Sequence, residues 1–269
     1  MEWLERDGVR WLQADLGGAR AAFSTRVGGV SDAPFDSLNL GLLTDDADDC
    51  VRENRLRLTS ALGRDPERIV FARQVHGAEL LTHDGPQRCA LVPDSGNKAQ
   101  CDAEPPEADG HVVAAPGLTA LVFAADCLPV ALSGPGGVAM LHCGWRGLAA
   151  GIVAPGAEAV GATDAAIGPG IGPCCYEVGP DVLDAFRDLG DDIAAADGPK
   201  SRAGGDISAR RRLDLAEVAR RLLRAAGVRR IESADLCTSC EPELFFSHRR
   251  DQGRTGRQAG LVWIEPGEG

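Results

Sequence analysis

Apolar residues recur along this chain with two different periods, and those periods predict its elements. Over residues 51–62, Val51, Leu58 and Leu62 fall on one side and Arg52, Glu53 and Arg57 elsewhere, behind an acidic stretch suited to a helix N-terminus. Over 214–226 the pattern repeats, with Asp214 as N-cap, a stripe of Leu215, Val218 and Leu222, and Gly227 closing the end. A shorter helix is predicted at 180–189, presenting Val182, Leu183, Phe186 and Leu189 to a core. Short apolar runs bounded by Gly, Pro or Asp at 110–115, 118–124, 137–141 and 261–264 read as strands. Residues 84–108 and 190–206 carry Pro, Gly and acidic residues without periodicity and read as surface loops. Neither loop separates two lengths with independent cores. Residues 1–269 are therefore predicted to form a single α+β domain, with mixed β-sheet layers flanked by helices.

An apolar content of 44% suffices for such a core, and the charge narrows the partners. With 28 basic and 40 acidic residues the net charge is -12, a field that repels nucleic acid and anionic membrane and favours a small-molecule substrate. The first twenty residues mix Glu2, Arg6, Asp7 and Asp15 among apolar ones, unlike a signal peptide, and no later run of about 18 residues is apolar enough to span a bilayer. Nine cysteines, an odd number in a long chain, do not read as the disulfide framework of a secreted domain. The expectation is a cytoplasmic protein whose thiols are fillers, ligands or nucleophiles.

Three segments stand out chemically: Gln74-Val75-His76-Gly77, Ala125-Asp126-Cys127-Leu128-Pro129 and Leu141-His142-Cys143-Gly144-Trp145-Arg146-Gly147. Each puts a metal-capable side chain at a turn, and a hairpin-like pairing would bring Cys127 and His142 to one rim. Imidazole nitrogen and thiolate sulfur suit zinc, and three protein ligands with one open position mark a catalytic site. A zinc-bound water can attack an electron-poor purine carbon if a carboxylate moves the protons. The spacing alone is not diagnostic, because no Cys-x-x-Cys pair or His-Glu-x-x-His helix closes the site locally. A Cys after an apolar strand is ordinarily a core residue, and a His beside Gly ordinarily bonds within a turn.

Ordered blocks along nearly the whole chain carry a family resemblance. They are Phe23-Ser24-Thr25-Arg26-Val27-Gly28-Gly29-Val30-Ser31, Ser37-Leu38-Asn39-Leu40-Gly41, Glu53-Asn54-Arg55 and the three segments above. Gly168-Pro169-Gly170-Ile171-Gly172-Pro173-Cys174-Cys175-Tyr176-Glu177-Val178 and Ser247-His248-Arg249-Arg250 complete them. In these the chain resembles the laccase-domain, or polyphenol oxidase-like, family of multifunctional purine nucleoside enzymes. The resemblance implies a zinc site at His76, Cys127 and His142, which would be both ligands and catalytic residues. It also implies phosphorolysis of adenosine, inosine, guanosine and methylthioadenosine, with adenosine deamination. Other members bear the labels copper-dependent polyphenol oxidase and peptidoglycan editing factor. Two departures from the family pattern are a long polar stretch at 93–106 and Pro155-Gly156, which should kink or restart the helix after Trp145-Arg146-Gly147.

Phosphorolysis needs an anion held beside the nucleoside, and arginines within the family blocks are the candidates: Arg26, Arg55, Arg146, Arg249 and Arg250, with Arg55 and Arg146 preferred. Asn39 is a candidate for a ribose hydroxyl or purine edge, though Asn in a tight connection more often caps backbone. The prolines of Gly168-Pro169-Gly170-Ile171-Gly172 favour a rigid turn over a phosphate loop. Cys174 and Cys175 read as buried thiols, with Glu177 as an acid–base candidate. Cys237 and Cys240 form a Cys-x-x-Cys pair that could be redox-active or bind metal, with no second such pair to complete a site. His83, His111 and His248 show no partner. The expectation is zinc, with copper disfavoured because five histidines cannot furnish a multicopper centre. Three rivals remain: a cysteine hydrolase using Cys127 and His142, a copper oxidase, and a non-catalytic partner in cell-wall assembly. Oligomeric state leaves no mark in the sequence.

Overall fold

A computed structural model describes residues 1–86, 91, 105–195 and 211–265. Two six-stranded mixed sheets stack on one another, with helices on both outer faces. The first sheet runs β1 (Glu2–Arg6), β2 (Val9–Asp15), β3 (Ala19–Ser24), β15 (Gln258–Ile264), β7 (Thr119–Ala124), β4 (Ile69–Val70). The second runs β14 (Arg230–Ser233), β10 (Asp164–Ile167), β8 (Leu128–Gly134), β9 (Gly137–Cys143), β6 (Gly110–Val113), β5 (Leu80–His83). Only the pairs β4–β7, β10–β14 and β5–β6 are parallel in these two sheets. A small antiparallel sheet joins β11 (Glu177–Val178), β13 (Arg211–Leu213) and β12 (Ala194–Ala195).

Side-chain alternation builds the layers. Ala120 and Val122 of β7, Val262 of β15 and Phe23 of β3 meet Ala131 of β8 and Val138 and Met140 of β9 between the sheets. The alternate residues Leu121, Leu261 and Trp263 face outward onto Leu58, Ala61 and Leu62 of α1 (Asp48–Leu62). On the opposite outer face Val130, Leu132 and Leu141 receive α2 (Trp145–Ala149), α3 (Val153–Val160) and α5 (Leu215–Ala225). Strands covered on both faces are apolar at nearly every position, as β9 is.

Differences from the predicted elements have local reasons. Helix α1 begins a turn early, with Asp48 and Asp49 in its first turn, and ends on Gly63 in the left-handed region. Asp214 does cap α5, accepting from the Glu217 N–H at 2.9 Å, but the buried stripe uses Leu223 where Leu222 was expected. The helix predicted at 180–189 is α4 (Pro180–Asp184) followed by a 3-10 turn at Arg187–Leu189, with only Val182 and Phe186 buried. The helix after Trp145 does restart: α3 places Pro155 in its first turn, where an N–H has no intrahelical partner. Residues 190–195 add a 3-10 turn and β12 to a stretch expected to be loop, whereas 196–206 and most of 84–108, including nearly all of 93–106, lie outside the described residues.

Candidate metal centre

His76, Cys127 and His142 converge: their ligand atoms lie within 4.8 Å of one another. The hairpin that joins them is β8 with β9, in the register Leu128↔Cys143 and Pro129↔His142, so Cys127 sits immediately before one strand and His142 near the end of the other. The pairing predicted from the sequence used β7, which instead lies in the other sheet and delivers the chain to the turn at 125–127.

Two buried aspartates fix these three side chains. Asp109, 0% exposed, accepts from the backbone N–H groups of Val75 (3.1 Å), His76 (3.0 Å) and Gly77 (2.6 Å) and bonds His142 Nδ1 at 2.8 Å. One carboxylate thus shapes the turn that holds His76 at a positive φ of 61° and leaves Nε2 of His142 to face Cys127. Asp126, itself at φ 90°, accepts from Thr238 Oγ1 (2.6 Å) and the Arg249 N–H (2.7 Å), tying the Cys127 turn to the C-terminal segment. Gln74 pairs both ways with the Phe123 backbone, at 2.8 and 2.7 Å, and locks the His76 segment against β7. A Cβ on Gly144 would lie 2.9 Å from Cys127 Sγ and 3.5 Å from His76 Cδ2, so the glycine keeps the space among the donors open.

Burial opposes charge on both members of the Cys127–His142 pair, yet their mutual attraction and hydrogen bond outweigh it. The Cys127 thiol is lowered and the His142 imidazole raised, the latter helped by Asp109. Asp109 feels burial first as well, but the bonds from His142, Gly77 and Val75 hold it below the ordinary carboxylate range. Two imidazoles, one thiolate and a carboxylate behind one imidazole form a donor set that fits a tetrahedral divalent ion with an open position.

His76, Cys127 and His142 open into a cavity of ≈ 820 Å³, within the range of small-molecule sites. Arg55 and Arg146 both line it. Arg55 is buried, donates to the Leu40 and Leu91 carbonyls at 2.8 Å each, lies 5.0 Å from the Phe123 ring, and is pulled down to about 10 by burial. Arg146 is exposed and stacks on Trp145 at 4.7 Å. Asn39 is absent from the described lining. Fully buried, it donates to Thr44 Oγ1 and Asp46 Oδ2 and accepts from the Gly41 and Arg257 N–H groups, which places it as scaffold beneath the wall. Of the other arginines, Arg249 reaches the cavity and stacks on Tyr176, whereas Arg26 and Arg250 are bound up elsewhere, with Asp36 and Asp251. Arg73, Arg257, Tyr176, Phe71 and Phe123 also line it, and sequence reasoning passed over all five.

Two of the remaining histidines, read from the sequence as lacking a partner, meet each other. His83 Nε2 and His111 Nδ1 lie 3.0 Å apart, and His248 is on the cavity wall. Glu177 reaches Arg212 rather than the described lining. The paired thiols Cys174 and Cys175 meet Cys237 and Cys240 in one cluster, so a second pair does exist for the Cys-x-x-Cys motif.

Fold and site together define an α/β/β/α sandwich with a candidate metal centre of two imidazoles and a thiolate at the mouth of a β-hairpin. The chain belongs to the family described as multi-copper polyphenol oxidoreductase laccase, whose model matches residues 20–265. It is 39% identical over 253 residues to "Purine nucleoside phosphorylase YfiH" of Shigella flexneri, covering 92% of this chain and 94% of that protein. To "Purine nucleoside phosphorylase YlmD" of Geobacillus stearothermophilus it is 38% identical, over 96% of each. Among solved structures, that of a Bacillus licheniformis hypothetical protein YfiH superposes with a TM-score of 0.81 at 32% identity, over 98% of this chain and 99% of the other. The family's copper description meets a site in which two of the chain's five histidines converge with one cysteine, too few donors for several copper ions. No helix among the described residues is long and apolar enough to cross a membrane.

Proposed function

We propose that this protein is a cytoplasmic, zinc-dependent purine nucleoside phosphorylase that also cleaves methylthioadenosine and deaminates adenosine. One observation carries the phosphorolytic part: in a chain of net charge -12, the cavity beside the metal centre is lined by five arginines, Arg55, Arg73, Arg146, Arg249 and Arg257, against a single carboxylate, Asp126, among the described residues. Such a local reversal of sign concentrates an anion where the molecule as a whole repels one. The names of the relatives, purine nucleoside phosphorylases of Shigella and Geobacillus, agree with phosphate as that anion.

His76, Cys127 and His142 would hold the zinc, which when bound supplies a Lewis acid with one open position. The rings of Phe71, Phe123 and Tyr176 give a purine flat apolar surfaces. Burial pushes the Tyr176 phenol up to about 12, so it stays protonated and can donate a hydrogen bond to a departing base or a ribose oxygen. Arg55, pinned by two carbonyls, and Arg146, exposed at the rim against Trp145, are the phosphate ligands of this reading. Deamination calls for a proton-moving carboxylate; both oxygens of Asp126 already accept hydrogen bonds, which makes phosphorolysis the principal activity.

A second reading draws on the same pair: a metal-free hydrolase with Cys127 as nucleophile, His142 as its base and Asp109 orienting the imidazole. Metal content by mass spectrometry, on protein purified without added metal, is paired with chromatography of adenosine incubated with and without phosphate. Zinc that depends on Cys127, together with adenine released only when phosphate is present, is the expected result. Metal-free protein that leaves adenosine intact would favour the hydrolase.

A further inference from the structure

Beyond the cavity, two short turns face each other with four cysteines between them. In one, the N–H groups of Cys175 and Tyr176 both donate to the Gly172 carbonyl at 3.0 Å; in the other, those of Cys240 and Glu241 donate to the Cys237 carbonyl at 3.1 Å. A parallel bridge between Gly170 and Cys237, with Thr238 N–H to Gly170 O at 2.9 Å, fixes the turns side by side. All four sulfurs lie within 4.8 Å of one another, and Cys240 Sγ is 3.4 Å from both Cys174 Sγ and Cys175 Sγ. Four thiolates at zinc–sulfur distances of about 2.3 Å in a tetrahedron stand about 3.8 Å apart, a value these separations bracket.

Two further features favour an ion over plain thiols. The Gly172 N–H points at Cys237 Sγ (3.2 Å), and the N–H groups of Ser239 and Cys240 also bond that sulfur, an arrangement that suits a thiolate ligand held by its own turn. Arg250, itself paired with Asp251, donates to the Thr238 carbonyl at 2.8 Å and so fixes the turn that sets Cys237 and Cys240 side by side as a ligand pair.

We propose that Cys174, Cys175, Cys237 and Cys240 form a second, closed metal site that holds a structural zinc ion. Binding replaces the thiol protons still present with four sulfur–zinc bonds; nothing is oxidised or reduced, and the released protons pass to solvent. The ion would clamp the turn carrying Tyr176 to the turn carrying Thr238, whose hydroxyl holds Asp126 beside Cys127. It thus braces the floor of the cavity without touching what binds there, and the inference does not depend on which reaction the cavity performs.

The test uses full-length protein purified under reducing conditions. Wild type should carry about two zinc ions per chain, while Cys127→Ala and the double variant Cys237→Ser/Cys240→Ser should each lose about one. Because Cys127→Ala removes the thiolate of the first site, thiolate-to-cobalt charge-transfer absorption in that variant, produced with Co2+ in the medium, must come from the four-cysteine site. Its appearance at about one cobalt per chain supports the site even where the serine variant folds poorly. Cys127→Ala protein without that absorption overturns the proposal, as does alkylation under non-reducing conditions that finds the four sulfurs paired as disulfides. Failure of the first zinc site alone would show differently, as metal that persists in Cys127→Ala and disappears with Cys237→Ser/Cys240→Ser.

Discussion

Replacing Asp109 with Asn should weaken the fold and the metal centre together, by amounts that follow from its four hydrogen bonds. Oδ1 serves His76 N–H and His142 Nδ1, and Oδ2 serves Val75 N–H and Gly77 N–H. An amide has one acceptor and one donor end, so either orientation sets an NH2 against two donors in a fully buried position. With the NH2 on the Oδ2 side, the turn carrying His76 loses two bonds. On the Oδ1 side, His142 must give up its Nδ1 proton and carry it on Nε2, the nitrogen that a metal needs. Hydrogen bonds to charged groups are worth about 1.5–3 kcal/mol each, so losing two costs about 3–6 kcal/mol of folding stability. At urea slopes of about 2–3 kcal/mol/M the unfolding midpoint should fall by about 1–3 M. Loss of the carboxylate behind a ligating imidazole should reduce zinc affinity by about 10–100-fold. Urea unfolding followed by tryptophan fluorescence reads the first quantity, and competition with a chromophoric chelator reads the second. An Asp109→Asn protein with its urea midpoint within about 0.3 M of wild type and zinc affinity within about threefold would refute the role given to this carboxylate.

Gly144→Ala tests the space among the ligands: φ is -78° there, so alanine brings no backbone strain, and zinc affinity should drop at least about tenfold with little change in the urea midpoint. Arg146→Ala removes an exposed guanidinium from the cavity rim and should raise the KM for phosphate by about 10-fold or more while the KM for inosine changes little, which steady-state kinetics at varied phosphate would check. Burial, with the nearby His83, pulls His111 down to about 3, below its value of about 6.5 in an unfolded chain, so the fold favours the neutral ring. That contribution is complete above pH 6.5 and is lost at about 1.4 kcal/mol per pH unit as pH falls towards 3; urea unfolding between pH 7 and 5 should show this slope, and His111→Gln should flatten it.

The helices were legible where one face meets solvent and the other a sheet. Asp214 and Gly227 bracket α5 because capping chemistry is local and leaves residue types behind. Strand β8 escaped notice for the opposite reason. Leu128-Pro129-Val130-Ala131-Leu132 is buried between the second sheet's helices and the first sheet, so it shows no alternation, and its Pro129 reads as a breaker. The amphipathic rules also missed β1 and β2, where Arg, Glu and Asp are mixed with Trp and Leu, and β3, whose run of small buried residues around Arg20 shows no alternation. Missing β8 misplaced the hairpin: Cys127 reaches His142 through β8 and β9, and β7 merely delivers the chain to the turn.

At the site, donor types survive in sequence but their arrangement does not. His76, Cys127 and His142 stand out because imidazole and thiolate at turns are scarce, whereas Asp109 passes as one more acid in a polar stretch. What marks Asp109 is that three of its four partners are backbone N–H groups, which carry no residue identity and become visible only when the turn at 75–77 is folded against β6. The same holds for the four cysteines. Cys174 and Cys175 look like fillers until the Gly170–Cys237 bridge closes a loop of more than sixty residues and sets them against the Cys-x-x-Cys turn. Asp126 and Thr238 then connect that turn to the turn holding Cys127, so the two thiol clusters share one piece of scaffold. A perturbation at either cluster should therefore be felt at the other through Asp126 and Thr238, two residues more than a hundred positions apart in the chain.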